Sequence, residues 1–165
     1  MTTTRIRAAL VAAALVPALS ACATNFGAPT EQDYIPAAGV SNRDGVVNVL
    51  NTVIVTGNDG AGTVVANLVN TSVTDADQLT SVTVDGQPAQ IAPGANTVLP
   101  ASSSLNLADP AIVFATGDNI VPGGYVNVTF TFTDAEAATV QAPVFAAEDD
   151  FADVTLPQPS VEQAG

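Results

Sequence analysis

One seven-residue segment restricts the fold more than any other part of this chain. In Val126-Asn127-Val128-Thr129-Phe130-Thr131-Phe132, apolar side chains alternate strictly with Asn and Thr. A period of two places Val126, Val128, Phe130 and Phe132 on one face of an extended chain and the polar residues on the other. The segment is therefore read as a strand with one face on a core. Burying those four side chains contributes about 1.5–3 kcal/mol each, as an upper estimate.

The same grammar extends outward from it. Val46 to Val55 is long and rich in β-branched residues, ends at the turn cluster Asn58-Asp59-Gly60, and is followed by a second strand, Thr63 to Asn70. Both are apolar on both faces in places, as core strands of a sandwich can be. Gln78 to Val84 runs into Asp85-Gly86, a two-residue hairpin signal because both turn positions need positive φ. Pro88 in the returning segment cannot donate to a ladder and marks an edge strand. Pro93-Gly94 and Pro122-Gly123-Gly124 are further turns. Asn96 to Leu107 is a weaker extended stretch, Ala111 to Ala115 a short buried strand, and Thr139 to Phe145 the last strand. No segment has convincing helical periodicity. Seven or eight short strands with turn signals every 8–12 residues or so predict an all-β fold, an immunoglobulin-like antiparallel β-sandwich. The cysteines and tryptophan of antibody domains are absent, so only the architecture is implied.

The N-terminus has a different logic. Arg5 and Arg7 precede an apolar run from Ala8 to Ala21 that is interrupted by Pro17 and ends in Leu19-Ser20-Ala21-Cys22. A positive lead, a run too short to span a bilayer, and small residues before a cysteine match a lipoprotein export signal. Cleavage before Cys22 and diacylation of its thiol, with chains such as palmitate, would give a stable membrane anchor, because two acyl chains hold where one binds only marginally. Ala21-Cys22-Ala23 also fits ordinary cleavage after Ala23, which would release a soluble protein, and an uncleaved anchor is a third alternative. The expected organisation is a signal peptide over 1–21, a lipidated N-terminus and flexible tether over 22–44, a sandwich over 45–146, and an acidic, Pro-containing disordered tail over 147–165. Tyr34-Ile35 could dock the tether on the domain.

Charge excludes whole classes of partner. The chain has 3 Lys+Arg, 16 Asp+Glu and no His. Every acid lies after Cys22, beside the single base Arg43. Such a body is repelled by nucleic acid and by anionic head groups, whose recognition depends on Lys/Arg clusters. An apolar content of 47% is nevertheless enough for a packed core. Abundant Ala, Val and Thr without Lys suggest a GC-rich bacterial genome. The lone cysteine permits no internal disulfide, and lipidation accounts for it.

Two stretches carry a family resemblance. Leu68-Val69-Asn70-Thr71-Ser72 together with Asp77-Gln78-Leu79-Thr80-Ser81-Val82, and Ile120-Val121-Pro122-Gly123-Gly124-Tyr125-Val126-Asn127-Val128-Thr129-Phe130-Thr131-Phe132 closing at Pro143-Val144, resemble exported copper-chaperone-like (PCuAC-like) proteins. Actinobacteria carry lipoprotein versions of that family. The resemblance implies a β-sandwich and an exported location. It also implies copper held by His and Met, soft donors suited to Cu(I). This chain has no His, its one Met is Met1, and its one thiol is Cys22. The family's copper site is therefore not expected here.

Catalysis finds little to work with. Ser-His-Asp and Cys-His chemistry lack an imidazole, Ser-Lys chemistry lacks a lysine, and the glycine-rich phosphate loop is missing. A carboxylate pair could cleave glycosides, but there is no Trp and only Tyr34 and Tyr125 to stack on a sugar. Asp75-Ala76-Asp77 begins like a calcium loop, yet Leu79 and Thr80 stand where a ligand and Gly belong. Asn58-Asp59-Gly60 reads better as a turn, and Glu148-Asp149-Asp150 as a solvated acidic face. Asn70-Thr71-Ser72 and Asn127-Val128-Thr129 match glycosylation sequons by chance. The expectation is a non-enzymatic lipoprotein, anchored through Cys22 on the extracytoplasmic face of the cell membrane. It has no cofactor and no nucleic-acid partner, and its sandwich binds an envelope protein or has a structural role. The alternative is a divalent-metal-handling envelope protein that uses carboxylates.

Overall fold

A computed structural model describes residues 38–57 and 60–157. The Leu19-Ser20-Ala21-Cys22 motif, Tyr34-Ile35, most of the expected tether, Asn58 and Asp59 lie outside the described residues. The described chain is almost entirely β, in a continuous sheet folded into two layers around one core. The strands are β1 (Val40–Asn42), β2 (Val47–Thr56), β3 (Ala61–Asn70), β4 (Asp77–Val84), β5 (Gln87–Pro88), β6 (Gln90–Ile91), β7 (Val98–Leu99), β8 (Ser104–Asn106), β9 (Val113–Thr116), β10 (Tyr125–Phe132) and β11 (Ala138–Ala146). The expected sandwich is thus observed. Its strand count is eleven among the described residues, because five strands of two or three residues join the main ones.

The order β5-β4-β10-β11-β2-β3-β9-β6 defines the sheet, with β1 on β2, β7 on β4 and β8 on β3. Two prolines mark the places where a strand leaves one layer for the other. β11 is antiparallel to β10 as far as Pro143, opposite Tyr125, and then runs parallel to β2 from Val144, opposite Ile54. This is the one parallel pairing among the described residues, a departure from the antiparallel arrangement expected. Pro143 has no N–H to give a ladder, so the chain can change partners there without stranding a donor. At the other end, Gln87 and Pro88 pair with β4, and Gln90 and Ile91 pair with β9. Pro88 therefore sits at the outer end of the order, as expected for an edge.

Turn chemistry follows the sequence closely. Asp85 and Gly86 have φ of 47° and 79°, the positive values the β4–β5 hairpin requires. Gly123 (φ 84°) follows Pro122 in a turn closed by Gly124 N–H donating to the Val121 carbonyl at 2.9 Å. The alternating segment is β10, and Val126, Val128, Phe130 and Phe132 are all buried in the core.

Bulges explain what the period could not. Between Leu50 and Val53 the β2–β3 register slips, with Asn51 in the left-handed region at φ 55°. The slip changes which face looks inward. Val47, Val49 and Ile54 join the core, whereas Val53 and Val55 are buried outside it. A second shift falls between Thr131 and Phe132, where Leu79 and Ser81 of β4 are the paired residues and Thr80 is left over. Leu79, Val82 and Val84 can then all point inward despite their uneven spacing. Gly39 is constrained by the first bulge, since a Cβ there would stand 2.3 Å from the Asn51 carbonyl carbon.

Regular structure continues on both sides of the 45–146 segment. Val40–Asn42, inside the expected tether, is a strand paired with β2. The chain after Ala146 also folds back on the sandwich, forming a 3-10 turn at Asp149–Phe151. Phe151 stacks on Phe145 with ring centroids 5.0 Å apart, and Thr63 Oγ1 donates to the Thr155 carbonyl at 2.5 Å. The Thr155 carbonyl therefore lies against the sheet.

Thr52, beside the β2 bulge, is fully buried, and its hydroxyl has no hydrogen-bond partner among the described residues. An unsatisfied buried polar group costs about 1–3 kcal/mol. Thr52→Val, which keeps the shape and removes the hydroxyl, is expected to raise the unfolding free energy by about 1 kcal/mol or more. A urea titration of the two proteins checks this.

Candidate functional site

One concavity is an open pocket of about 640 Å³. It is lined by Val46, by Asn70 to Asp77 in part, and by Asp134 and Ala135. The Asn70-Thr71-Ser72 sequence and the Asp75-Ala76-Asp77 run meet here. Their polar atoms are engaged with one another and with the backbone of neighbouring turns.

Asp77 opens β4 and is buried beneath the β10–β11 connection. Its Oδ1 accepts from the backbone N–H groups of Gln78 (2.7 Å), Thr133 (3.0 Å) and Asp134 (3.1 Å), and its Oδ2 from Ala135 (2.9 Å). Burial pushes this carboxyl up. The N–H donors of Gln78, Ala135, Asp134 and Thr133 together outweigh burial and hold it below its ordinary value. Asn70, at the end of β3, is buried as fully. Its Nδ2 donates to the carbonyls of Asp75 (2.9 Å), Leu99 (3.1 Å) and Pro100 (3.3 Å), and its Oδ1 accepts from Ser72 N–H at 2.9 Å. Asp75 Oδ2 accepts from Thr74 Oγ1 (2.7 Å) and Ser72 Oγ (3.3 Å). Asp77 thus fastens the 133–135 turn to β4, and Asn70 fastens the 71–76 loop to the 99–100 turn. Asp75 and Asp134 remain exposed at the mouth.

A second polar knot lies on the β4–β5 hairpin. Asp85 Oδ1 accepts from Asn127 N–H (2.9 Å) and, at 3.4 Å, from Asn127 Nδ2, while its Oδ2 accepts from Asn119 Nδ2 at 3.0 Å. The Asn127 backbone N–H, then the Asn119 amide, lower the Asp85 carboxyl, against a smaller opposing effect of burial. The Asn127 sequon is accordingly a strand position braced to a turn.

Cys22, the one residue given a chemical role from sequence, lies outside the described residues, as does Met1. Glu148, Asp149 and Asp150 are exposed on the segment that folds back over the sheet. Among the described residues, no three His, Cys, Asp or Glu side chains converge as a metal site would require. Sequence reasoning missed the anchoring role of Asp77, because its four donors come partly from a turn more than fifty residues away. An acidic residue opening a strand was the only local signal.

Comparison with known proteins agrees with the fold. No protein-family model matches this sequence, and no curated protein matches it. Among solved structures, a copper-bound PCuAC domain from PmoF2 superposes with a TM-score of 0.55 at 22% identity, covering 65% of this chain and 98% of that one. An apo PCuAC domain from PmoF1 gives 0.55 at 21%, over 65% and 99% of the two chains. The apo PmoF2 domain gives 0.52 at 20%, over 67% and 98%. The chain has a PCuAC-like fold.

Asp77 makes stability depend on pH in a definite direction. Its folded-state carboxyl is lowered, so its contribution is fully present above the ordinary value of 3.8 and is lost as pH falls through the lower folded value. Asp77→Asn should reduce the acid dependence of unfolding. Asp77→Ala, which leaves the turn donors without their acceptor, should cost about 2–4 kcal/mol at neutral pH. Denaturant unfolding at several pH values reads both.

Proposed function

We propose that this chain is an exported lipoprotein of the actinobacterial kind, acylated at Cys22 and held on the extracytoplasmic face of the cell membrane. Its PCuAC-like sandwich then serves as a non-catalytic binding or structural module for an envelope partner. The observation that carries this reading is the Leu19-Ser20-Ala21-Cys22 sequence behind Arg5, Arg7 and an apolar run. The chemistry of the sandwich supports the non-catalytic part. The chain has no imidazole and no lysine, and its most buried polar side chains at the pocket, Asp77 and Asn70, are saturated by backbone groups. Groups so engaged hold loops in place and are not free to move protons.

A second reading, metal handling through carboxylates, is favoured by the fold likeness to a copper-bound PCuAC domain. It must dispense with the soft donors that suit Cu(I), since the chain has no His and only Met1 as methionine. The exposed carboxylates Asp75 and Asp134 are what it would have to use, and hard oxygen donors favour divalent ions such as calcium.

Two measurements separate these readings. In the native host, wild-type protein should partition with membranes and give an N-terminal peptide beginning at an acylated Cys22, whereas Cys22→Ser should leave the membrane fraction. A Cys22→Ser protein that stays with the membrane, or a mature chain beginning after Ala23, would remove the anchor from the proposal. Titration of the soluble protein with Cu(I), Cu(II), Zn(II) and Ca(II) should show no binding tighter than about millimolar, the weak end of extracellular carboxylate sites. Tighter binding that disappears in Asp75→Asn or Asp134→Asn would favour the second reading.

A further inference from the structure

We propose that residues 148–156 form a hinged strap that opens from the sandwich as a unit while both layers stay folded, and that it guards a cross-strand row on the outer face. The row is Phe145–Val55–Thr63–Phe114, one residue each from β11, β2, β3 and β9, in direct register. Paired residues share a face. Because Ile54 and Val144 face the core, this row faces away from it. Val55 is nevertheless completely buried. The strap meets the row on either side of it, with Phe151 stacked on Phe145 and the Thr155 carbonyl on Thr63.

The attachment has the character of a latch. Ala147 donates its N–H to the Thr56 carbonyl at 3.0 Å, the last backbone bond from the described chain to the sheet. Beyond it the backbone bonds are local to the strap: Phe151 to Glu148, Ala152 to Asp149, and Val154 to Phe151. Among the described residues its attachments include one ring stack and one side-chain hydrogen bond, with Leu156 lying where a side chain at Gly57 would stand and Asp153 to Thr155 lining a cavity with Ala108 to Ala111. No strap residue belongs to the core cluster, so lifting the strap leaves the core intact. The hinge is marked by the backbone. Asp149 sits in the left-handed region at φ 50°, a conformation that favours glycine and that Asp adopts at a modest cost relative to it. Glu148, Asp149, Asp150 and Asp153 are exposed along the strap with no ion pair among the described residues, so no charge pairing holds it to the sheet. The closed occupant of the row is the chain's own segment. Opening presents two phenylalanines flanking a valine and a threonine hydroxyl, an apolar strip with one polar group.

Thiol labelling of the full chain tests the device. In a Cys22→Ser background without other thiols, Val55→Cys places one reporter under the strap. The reporter should react at a rate insensitive to low denaturant, about tenfold faster once Phe151→Ala removes the ring stack. Asp149→Gly, which relieves the hinge, should slow it several-fold. A rate that rises steeply with denaturant, in step with global unfolding, and is the same with and without Phe151→Ala, would overturn the proposal. Amide exchange on the unsubstituted chain gives a second reading free of any packing change at position 55. The Ala152 and Val154 amides should exchange together and far faster than those of β2 and β3. Exchange of the strap at the core rate would also overturn it.

Discussion

The structure depends on the change of partner within β11. Up to Pro143 this strand completes the layer of β4 and β10, and from Val144 it completes the layer of β2 and β3. Gly123 N–H donates to the Val144 carbonyl and Val144 N–H to the Gly124 carbonyl, each at 2.9 Å, so the turn before β10 is fastened at the crossing. One strand thus welds two layers through backbone hydrogen bonds as well as through side-chain packing. Proline is the residue that permits this, since it has no donor to leave unpaired where the ladder ends. The Gln87–Ile91 segment bridges the opposite ends of the sheet around Pro88, and Ala89 N–H donates to the Val82 carbonyl at 2.8 Å. Open edges that would otherwise invite pairing with another chain are reduced in this way.

A sheet joined in this manner must still sort its side chains between inside and outside. The sorting is done by two bulges, in β2 and β4. In β2 the bulge at Asn51 lets Val49 and Ile54 both face inward while Val53 and Val55 line the outer face. On that face the chain beyond Ala146 meets the sheet at Phe145 and Thr63. The acids that made the tail look disordered remain in solvent, and Phe151 and Leu156 supply the contacts. Composition averages over a segment, whereas docking depends on one or two anchors within it.

The polar end of the sandwich illustrates how the loops of a PCuAC-like fold are held in this chain. Asp77 gathers the 133–135 turn and Asn70 gathers the 71–76 loop, so the two buried polar side chains nearest the pocket hold loops together. Much of this was legible beforehand as location but not as role. The sequence marks Asp75-Ala76-Asp77 as a place where oxygen atoms cluster, and they do cluster there. Whether such oxygens receive a cation or backbone N–H groups depends on what the rest of the chain brings to them, and Thr133, Asp134 and Ala135 arrive from a distant turn.

Local chemistry alone determined the long strands, the Asp85-Gly86 and Pro122-Gly123 turns, the inward face of β10, the edge position at Pro88, and the absence of imidazole, lysine and internal disulfide. These follow from side-chain period, from the φ that glycine and proline allow, and from residue identity, none of which needs a partner. Tertiary structure decided the parallel β11–β2 pairing, the two bulges, the burial of Asp77 under a remote turn, and the folding of the chain beyond Ala146 onto Phe145 and Thr63. Each depends on two segments far apart in sequence meeting in one register, and register is set by the packing of whole layers rather than by any stretch read alone.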